Sequence, residues 1–311
     1  MPIEIIHGWR DLKPEQKGAA VALGAFDGVH AGHRRVIDDA REAARRLGVP
    51  AGVVTFDPHP RRFFVPGAQP FRIMSPRQQA RALAAAGVER LHLLPFGSEM
   101  ASMAPEAFVR DVLVEGLGVR HVAVGFDVTF GKDRSGDPEQ LKALGALHGF
   151  SVSVAERLAD DAGDKISSTA LRRALGEGRL EEAAALLGRP FAIEGEVVHG
   201  DKRGRTIGFP TANVRLPDYV RPRFGVYATR TRLPDGRVLD GVANLGVRPM
   251  WESPEPLLEV WLFDFDEDLY GQVIETELVA FLRPEARFDG LEPLIAQIER
   301  DVVEAKAALA R

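Results

Sequence analysis

Through its first half this chain alternates short apolar runs with helical patterns, and the alternation stops at Gly188-Arg189-Pro190. The apolar runs are 19–24 (AAVALG), 51–56 (AGVVTF), 90–95 (RLHLLP), 120–125 (RHVAVG) and 150–155 (FSVSVA). Between them, apolar residues recur at helical spacing over 33–47, 76–86, 105–117 and 137–148. Strands separated by helices of this length predict a parallel sheet covered on both faces, with ligands held at the carboxyl ends of the strands. In the first helical stretch Val36, Ile37, Ala40, Ala44 and Leu47 share a face, Gly48 supplies a C-terminal cap and Pro50 stops propagation. Pro76, Pro105 and Pro138 each stand at an expected first helical position, where a missing N–H costs nothing. Residues 166–187 read as two more helices.

Beyond Gly188 the pattern becomes short strands with tight turns: 192–198, 225–232, 237–245, 257–265 and 273–282. A helical stripe of Leu291, Leu294, Ile295, Ile298, Val302 and Ala305 closes the chain. This grammar predicts an antiparallel β-barrel with a C-terminal helix packed on it. The expected organisation is therefore an α/β parallel-sheet domain over 1–187 and a barrel domain over 188–311, which a length of 311 residues accommodates.

Composition narrows the chemistry. With no cysteine, disulfides, thiolate metal sites and a Cys nucleophile are excluded. A net charge of -5 counts against a general nucleic-acid or membrane-surface binder, whose footprint would be basic. No segment is apolar enough for a signal peptide or a bilayer span, so a cytoplasmic protein is expected.

The run VALGAFDGVHAGHRRVIDDA, 21–40, brings an apolar strand to a turn at Gly24, passes Phe26-Asp27-Gly28, and delivers His30 and His33 at the mouth of a helix. Two imidazoles and the unpaired N–H groups of a helix N-terminus suit phosphate, so this stretch reads as a nucleotide site. Three further loops follow expected strands: Thr55-Phe56-Asp57-Pro58-His59-Pro60, Gly125–Gly131 with its Asp127, and Ile166-Ser167-Ser168-Thr169. In the last, hydroxyls cap a helix, and Arg172 stands one turn in, where a guanidinium could grip the same phosphates.

In the second half, HGDKRGRTIGFPTANV (199–214) carries Gly200, Gly204 and Gly208, which permit loop amides to approach a phosphate chain. The GxxxxGK[ST] spacing of a Walker loop is missing. In the Pro210-Thr211-Ala212-Asn213 run, a hydroxyl and a carboxamide oxygen two positions apart point to one side of an extended chain, as hard ligands suited to Mg²⁺. The acidic run Asp264, Asp266, Glu267, Asp268 reads as a solvated turn rather than a metal site.

The GAFDGVHAGH run, TFDPHP, FGKDRSG and ISSTALR, in this order, resemble the adenylyl-transferring half of prokaryotic bifunctional riboflavin kinase/FMN adenylyltransferase, also called FAD synthetase. The HGDKRGRTIGFPTANV, GVANLGVRP and LLEVWLFDFDEDLYG stretches resemble its riboflavin kinase half, so the resemblance covers nearly the whole chain. Ala25, Val128 and Met250 depart from residues frequent in the family. The resemblance implies a nucleotidyltransferase-type first domain and two reactions. Riboflavin is phosphorylated to FMN with ATP, then FMN is adenylylated with ATP to FAD and pyrophosphate. It implies that His30, His33 and Arg172 are catalytic, and that Gly24, Phe26, Asp27, Gly28, Ser168 and Thr169 bind nucleotide. Phe63, Phe64, Asp127 and Phe130 are flavin contacts on the same ground, Thr211 and Asn213 hold Mg²⁺·ATP, and Glu259 is the base for the ribityl 5′-hydroxyl. Glu259 sits inside an otherwise apolar strand, where a carboxylate has no structural need to be. Expected partners are the small molecules ATP, riboflavin and FMN, with no nucleic acid and no membrane. The rival readings are an adenylyltransferase with a decayed barrel, a flavin- or nucleotide-sensing module that releases neither ADP nor pyrophosphate, or an RNA-binding barrel on a nucleotidyltransferase-like body, against which the acidic net charge counts.

Overall fold

The structure, a computed structural model, describes residues 3–158, 166–200, 204, 208–216, 218–247 and 256–310. The chain divides into two compact units, one of Met1–Ala68 with Pro76–Ile166 and one of Gln69–Ser75 with Ser167–Arg311.

The first unit is a parallel sheet. Its strands are β1 (Glu4–His7), β2 (Ala20–Leu23), β3 (Ala51–Asp57), β4 (Arg90–Pro95), β5 (His121–Gly125) and β6 (Ser151–Ala155), ordered β1-β4-β3-β2-β5-β6. Five were expected; β1 was not, because only Ile6 of its four residues is buried and no periodicity betrays it. Side chains alternate across the sheet. Ala20 and Ala51 meet Ala43 and Ala44 of α1 (Ala31–Leu47) on one face. Val21, Leu23, Val54, Val122 and Val124 meet Trp9, Phe108, Val112 and Leu141 on the other. Leu47, expected on the buried face of α1, is 40% exposed; Ala43 takes its place in the packing.

Shorter helices complete the unit: α2 (Pro60–Phe64), α3 (Pro76–Ala85), α4 (Ser98–Ser102), α5 (Pro105–Ala107) and α6 (Pro138–His148). The helix expected over 105–117 continues from α5 as a π-helix, Phe108–Gly116, with Leu117 N–H donating to Val112 O. Chain order reverses between β2 and β5, so the loops leaving these two neighbours flank the switch point where open α/β sheets hold ligands.

The second unit opens with α7 (Ser168–Glu177) and α8 (Leu180–Leu187), each ended by a left-handed glycine, Gly178 and Gly188. It continues as a closed antiparallel barrel of β7 (Phe191–Val198), β8 (Ala212–Arg215), β9 (Gly225–Arg232), β10 (Val238–Val247), β11 (Pro256–Leu262) and β12 (Val273–Arg283), ordered β10-β11-β8-β7-β12-β9. β8 was not expected as a strand. β11 stops short of the expected 265 because Asp264 turns the chain at φ 52. The closing helix Leu291–Leu309 covers the barrel through Ala305 and Leu309, which pack with Val226, Ala228 and Val242. Leu291, expected on its apolar stripe, is 62% exposed.

Gln69–Ser75 belongs to this second unit, which nothing in the sequence announced. Arg72 N–H donates to Asp218 O at 2.9 Å, Val220 N–H donates to Arg72 O at 2.7 Å, and Ser75 Oγ donates to a Glu194 carboxylate oxygen at 2.6 Å. Phe71 and Ile73 are buried beneath these bonds.

Candidate functional site

The turn from β2 into α1 is held in an unfavourable backbone. Phe26 and Val29 take φ 51 and 44, and Gly28 takes 94. A β-branched residue in the left-handed region persists only where its surroundings fix it, and Phe26 and Val29 are both fully buried. The Ala25 carbonyl is pinned by two donors, Thr55 Oγ at 3.0 Å and Gln79 Nε2 at 2.9 Å. Thr55 was expected in a site loop; it lies buried within β3 and acts on that turn instead.

His30 is the N-cap of α1, and its Nδ1 accepts the His33 N–H at 3.3 Å. The helix therefore begins at Ala31, not at 33, and one of the amides expected to be free is occupied by the first histidine. The two imidazoles stack with centroids 3.7 Å apart and an interplanar angle of 17°. The Phe26 ring meets His33 edge-on at 5.2 Å. A Cβ at Gly32 would lie 3.2 Å from His30 Cε1 and 3.4 Å from Ile166 O, so the glycine lets the ring and that carbonyl close on the helix start. Gly24 has the same relation to Phe26, whose ring would meet a Cβ there at 3.3 Å. Asp27 is buried in the same turn.

Phe63 and Phe64 of α2 are exposed and meet edge-on at 5.3 Å. Each lies against Phe96, at 5.8 and 5.6 Å, and Phe96 lies against Phe56. Asp127, in the turn after β5, is exposed, whereas Phe130 is buried in the core beside Phe108. In the second unit Ser167 is the N-cap of α7, its Oγ accepting the Ala170 N–H at 3.2 Å; Ser168 and Thr169 are the first two helical residues. Arg172 Nε donates to Phe71 O at 2.7 Å, and its guanidinium lies over the Phe71 ring.

On the barrel, strand register decides which side chains meet. Asn213 of β8 stands opposite Glu259 of β11, and Glu259 opposite Asn244 of β10. On β10 and β11 the chain neighbours Ala243, Leu245, Leu258 and Val260 are buried in the barrel while Asn244 and Glu259 are half-buried, so this row faces outward, with Asn213 itself buried at 4% exposure. Thr211 immediately precedes β8, and Asn213 Nδ2 donates to its carbonyl oxygen at 3.5 Å. Gly200 lies directly over Asn213: a Cβ there would be 2.5 Å from its Nδ2 and 2.9 Å from its Oδ1. Gly204 lies as close to Phe209, whose N–H donates to Gly204 O at 2.8 Å; a Cβ there would be 3.6 Å from Thr211 Oγ. Gly208 supplies a turn at φ 88. Lys202, Arg203 and Arg205 of this loop, and Met250, lie outside the described residues.

The acidic run after β11 is committed elsewhere. Glu267 receives Arg237 in a fork at 2.6 and 2.9 Å, and Asp268 accepts the Tyr270 N–H. No group of three or more His, Cys, Asp or Glu that could hold a metal ion occurs among the described residues. The hydroxyl and carboxamide at Thr211 and Asn213, cradled by glycine backbone, are the kind of oxygen set that suits Mg²⁺ shared with substrate phosphates. Sequence reasoning passed over Asn244, although the signal that marked Glu259, a polar residue in an apolar strand, marks it equally.

A sequence model of FAD synthetase matches residues 12–170, and one of riboflavin kinase matches residues 187–309. The bifunctional riboflavin kinase/FMN adenylyltransferase of Haemophilus influenzae is 40% identical over 305 residues, spanning 98% of this chain and 99% of that one. Its counterpart in Pseudomonas fluorescens is 42% identical over 309 residues, spanning 99% and 98%. Among solved structures, one described as a macrolide-efflux protein from Streptococcus pneumoniae superposes with a TM-score of 0.86 at 33% identity, covering 98% of this chain and 99% of that one. No helix among the described residues is long and apolar enough to cross a membrane. With both domain models in sequence and relatives alike from end to end, the chain belongs to the bifunctional riboflavin kinase/FMN adenylyltransferase family.

Proposed function

We propose the following division of labour for the two reactions of this family, phosphorylation of riboflavin to FMN and adenylylation of FMN to FAD, both with ATP. Residues 188–311 carry the kinase. Glu259 accepts the proton of the ribityl 5′-hydroxyl as that oxygen attacks the γ-phosphorus of ATP, because an alcohol is a poor nucleophile unless its proton has an acceptor. Thr211 Oγ and the Asn213 carboxamide oxygen would hold Mg²⁺, which supplies charge neutralisation at the ATP phosphates when bound. Gly200, Gly204 and Gly208 let loop backbone approach those phosphates.

Residues 1–187 carry the adenylyltransferase. The FMN phosphate, with a second pKa of about 6, is mostly dianionic at neutral pH and attacks the α-phosphorus of ATP without a base. The protein's task is to hold two anions together and stabilise charge on the departing pyrophosphate. His30, His33 and Arg172 serve that role, with Ser168, Thr169 and the turn of Gly24, Phe26, Asp27 and Gly28 binding nucleotide. The exposed aromatics Phe63 and Phe64 offer the flavin ring a stacking surface, with Asp127 and Phe130 as further contacts. Since both reactions consume ATP, the proposed site of action is the cytoplasm.

The observation that carries the reading is the register of Asn213 opposite Glu259, which puts the metal-suited oxygen beside the carboxylate the reaction needs. The test is to incubate the protein with riboflavin and MgATP and resolve riboflavin, FMN and FAD by chromatography. Glu259→Gln should make no FMN yet still convert supplied FMN to FAD, and His33→Ala should accumulate FMN. FMN formation at the wild-type rate by Glu259→Gln would overturn the kinase assignment.

A further inference from the structure

The outward row on the barrel is longer than the pair that carries the kinase reading. Arg283 of β12 stands opposite Val226 of β9, Val226 opposite Asn244 of β10, Asn244 opposite Glu259, and Glu259 opposite Asn213. The row ends under the closing helix: Val226 packs with Ala305 and Leu309, and the Arg283 guanidinium grips the buried Asp301 carboxylate through Nε at 2.8 Å and Nη2 at 2.7 Å. Asn244 is the one polar member on the far side of Glu259 from Asn213 before that apolar end. It is half-buried, sits between the fully buried Ala243 and Leu245, and its side chain makes no hydrogen bond to any described residue. A carboxamide there serves neither the barrel interior nor the helix.

We propose that Asn244 is a substrate-positioning residue of the phosphorylation, its carboxamide hydrogen-bonding the polyol chain of the alcohol next to the reacting hydroxyl. This rests on the assignment of Thr211 and Asn213 to the phosphates and of Glu259 to the base. With the phosphates on the Asn213 side, the alcohol reaches Glu259 from the opposite side, and that side is Asn244. Adjacent strands are about 4.8 Å apart, so a carboxamide one strand beyond the base reaches a hydroxyl one or two carbons along the chain. A carboxamide also offers both a donor and an acceptor, as a polyol hydroxyl requires.

The test compares riboflavin with its analogue lacking the 4′-hydroxyl, in wild type and Asn244→Ala. FAD formation from supplied FMN and the unfolding temperature check that the variant folds. Wild type should favour riboflavin over the deoxy analogue about tenfold in kcat/KM, the worth of one hydrogen bond to a substrate. Asn244→Ala should raise KM for riboflavin by a similar factor, with kcat less affected, and treat the two alcohols alike. Retention of wild-type discrimination by Asn244→Ala, or an unchanged KM, overturns the proposal. Should Asn244→Ala fail to fold, the near-isosteric Asn244→Asp is read by the same comparison of the two alcohols. If Glu259→Gln and Asn213→Ala both phosphorylate riboflavin at the wild-type rate, the site reading itself falls, a result distinguishable from failure at Asn244 alone.

Discussion

The Nδ1 of His30 accepts the backbone N–H of His33 at 3.3 Å, so one histidine caps the helix and the other lies within its first turn. Removing them should have separable effects. His30→Ala and His33→Ala should each slow FAD formation from FMN about a hundredfold, the usual cost of a lost preorganised donor. Only His30→Ala should also lose about 1 kcal/mol of stability through the missing cap. Thermal unfolding of the two variants beside the wild type checks this; equal melting temperatures would sink the capping role.

Two glycines should divide the activities between them. A Cβ at Gly32 presses on the His30 ring at 3.2 Å, whereas one at Gly200 collides with the Asn213 carboxamide at 2.5 Å. Gly32→Ala should impair FAD formation from FMN and spare FMN formation from riboflavin. Gly200→Ala should do the reverse, losing at least tenfold in riboflavin phosphorylation, as a displaced ligand of the phosphate site should. Steady-state assays of the two half-reactions decide it, and parallel loss of both in either variant would contradict the assignment.

Acid should weaken the parallel-sheet unit before carboxylates protonate. His92 is buried with no hydrogen-bond partner for either ring nitrogen among the described residues, and burial, aided by Arg90, lowers its pKa to about 4. His121 is lowered to about 4 by burial and then by Arg46, with its ring nitrogens on Ser151 and Ser153 hydroxyls. Between pH 6.5 and about 4 the unfolded chain binds protons that the folded chain refuses, so stability falls as pH drops through that window and is flat above it. His92 contributes roughly 3 kcal/mol across the window, and His121, whose ring is less shielded, contributes less. Urea midpoints from pH 7 to 4 should fall steeply for wild type and less so for His92→Leu, which also removes an unsatisfied polar group. Identical pH slopes would refute the contribution of His92.

The Arg283–Asp301 pair ties the end of β12 to the closing helix, with the Asp301 side chain only 3% exposed. Asp301→Ala strands a guanidinium that is itself mostly buried and should destabilise the barrel by about 3 kcal/mol. Scanning calorimetry should show a lowered barrel transition, and phosphorylation should weaken as the helix loosens over Val226 and Val242. A melting temperature unchanged within about 1 °C would mean the pair adds nothing, as many exposed ion pairs do.

Local chemistry made the element types legible. Gly48 and Gly188 end their helices in the left-handed conformation, Pro76, Pro105 and Pro138 begin theirs, and the apolar runs of the first half became the strands β2 to β6. What failed to show was structure without a periodic signal. β1 buries a single residue, β8 lies inside a glycine-rich loop, and Gln69–Ser75 carries no pattern that could report its attachment to the second unit. Val29 at positive φ and the amide taken by His30 were invisible for the same reason, since each depends on what packs around the turn rather than on the turn's own residues.

By itself the sequence determined a parallel-sheet half, a barrel half, and two sets of phosphate-suited residues, because capping, periodicity and hard-oxygen ligands act over a few neighbouring positions. Only the tertiary structure decided that Asn213, Glu259 and Asn244 stand in one row: they are separated by up to 46 positions in the chain, and strand register in a closed barrel is set by long-range pairing.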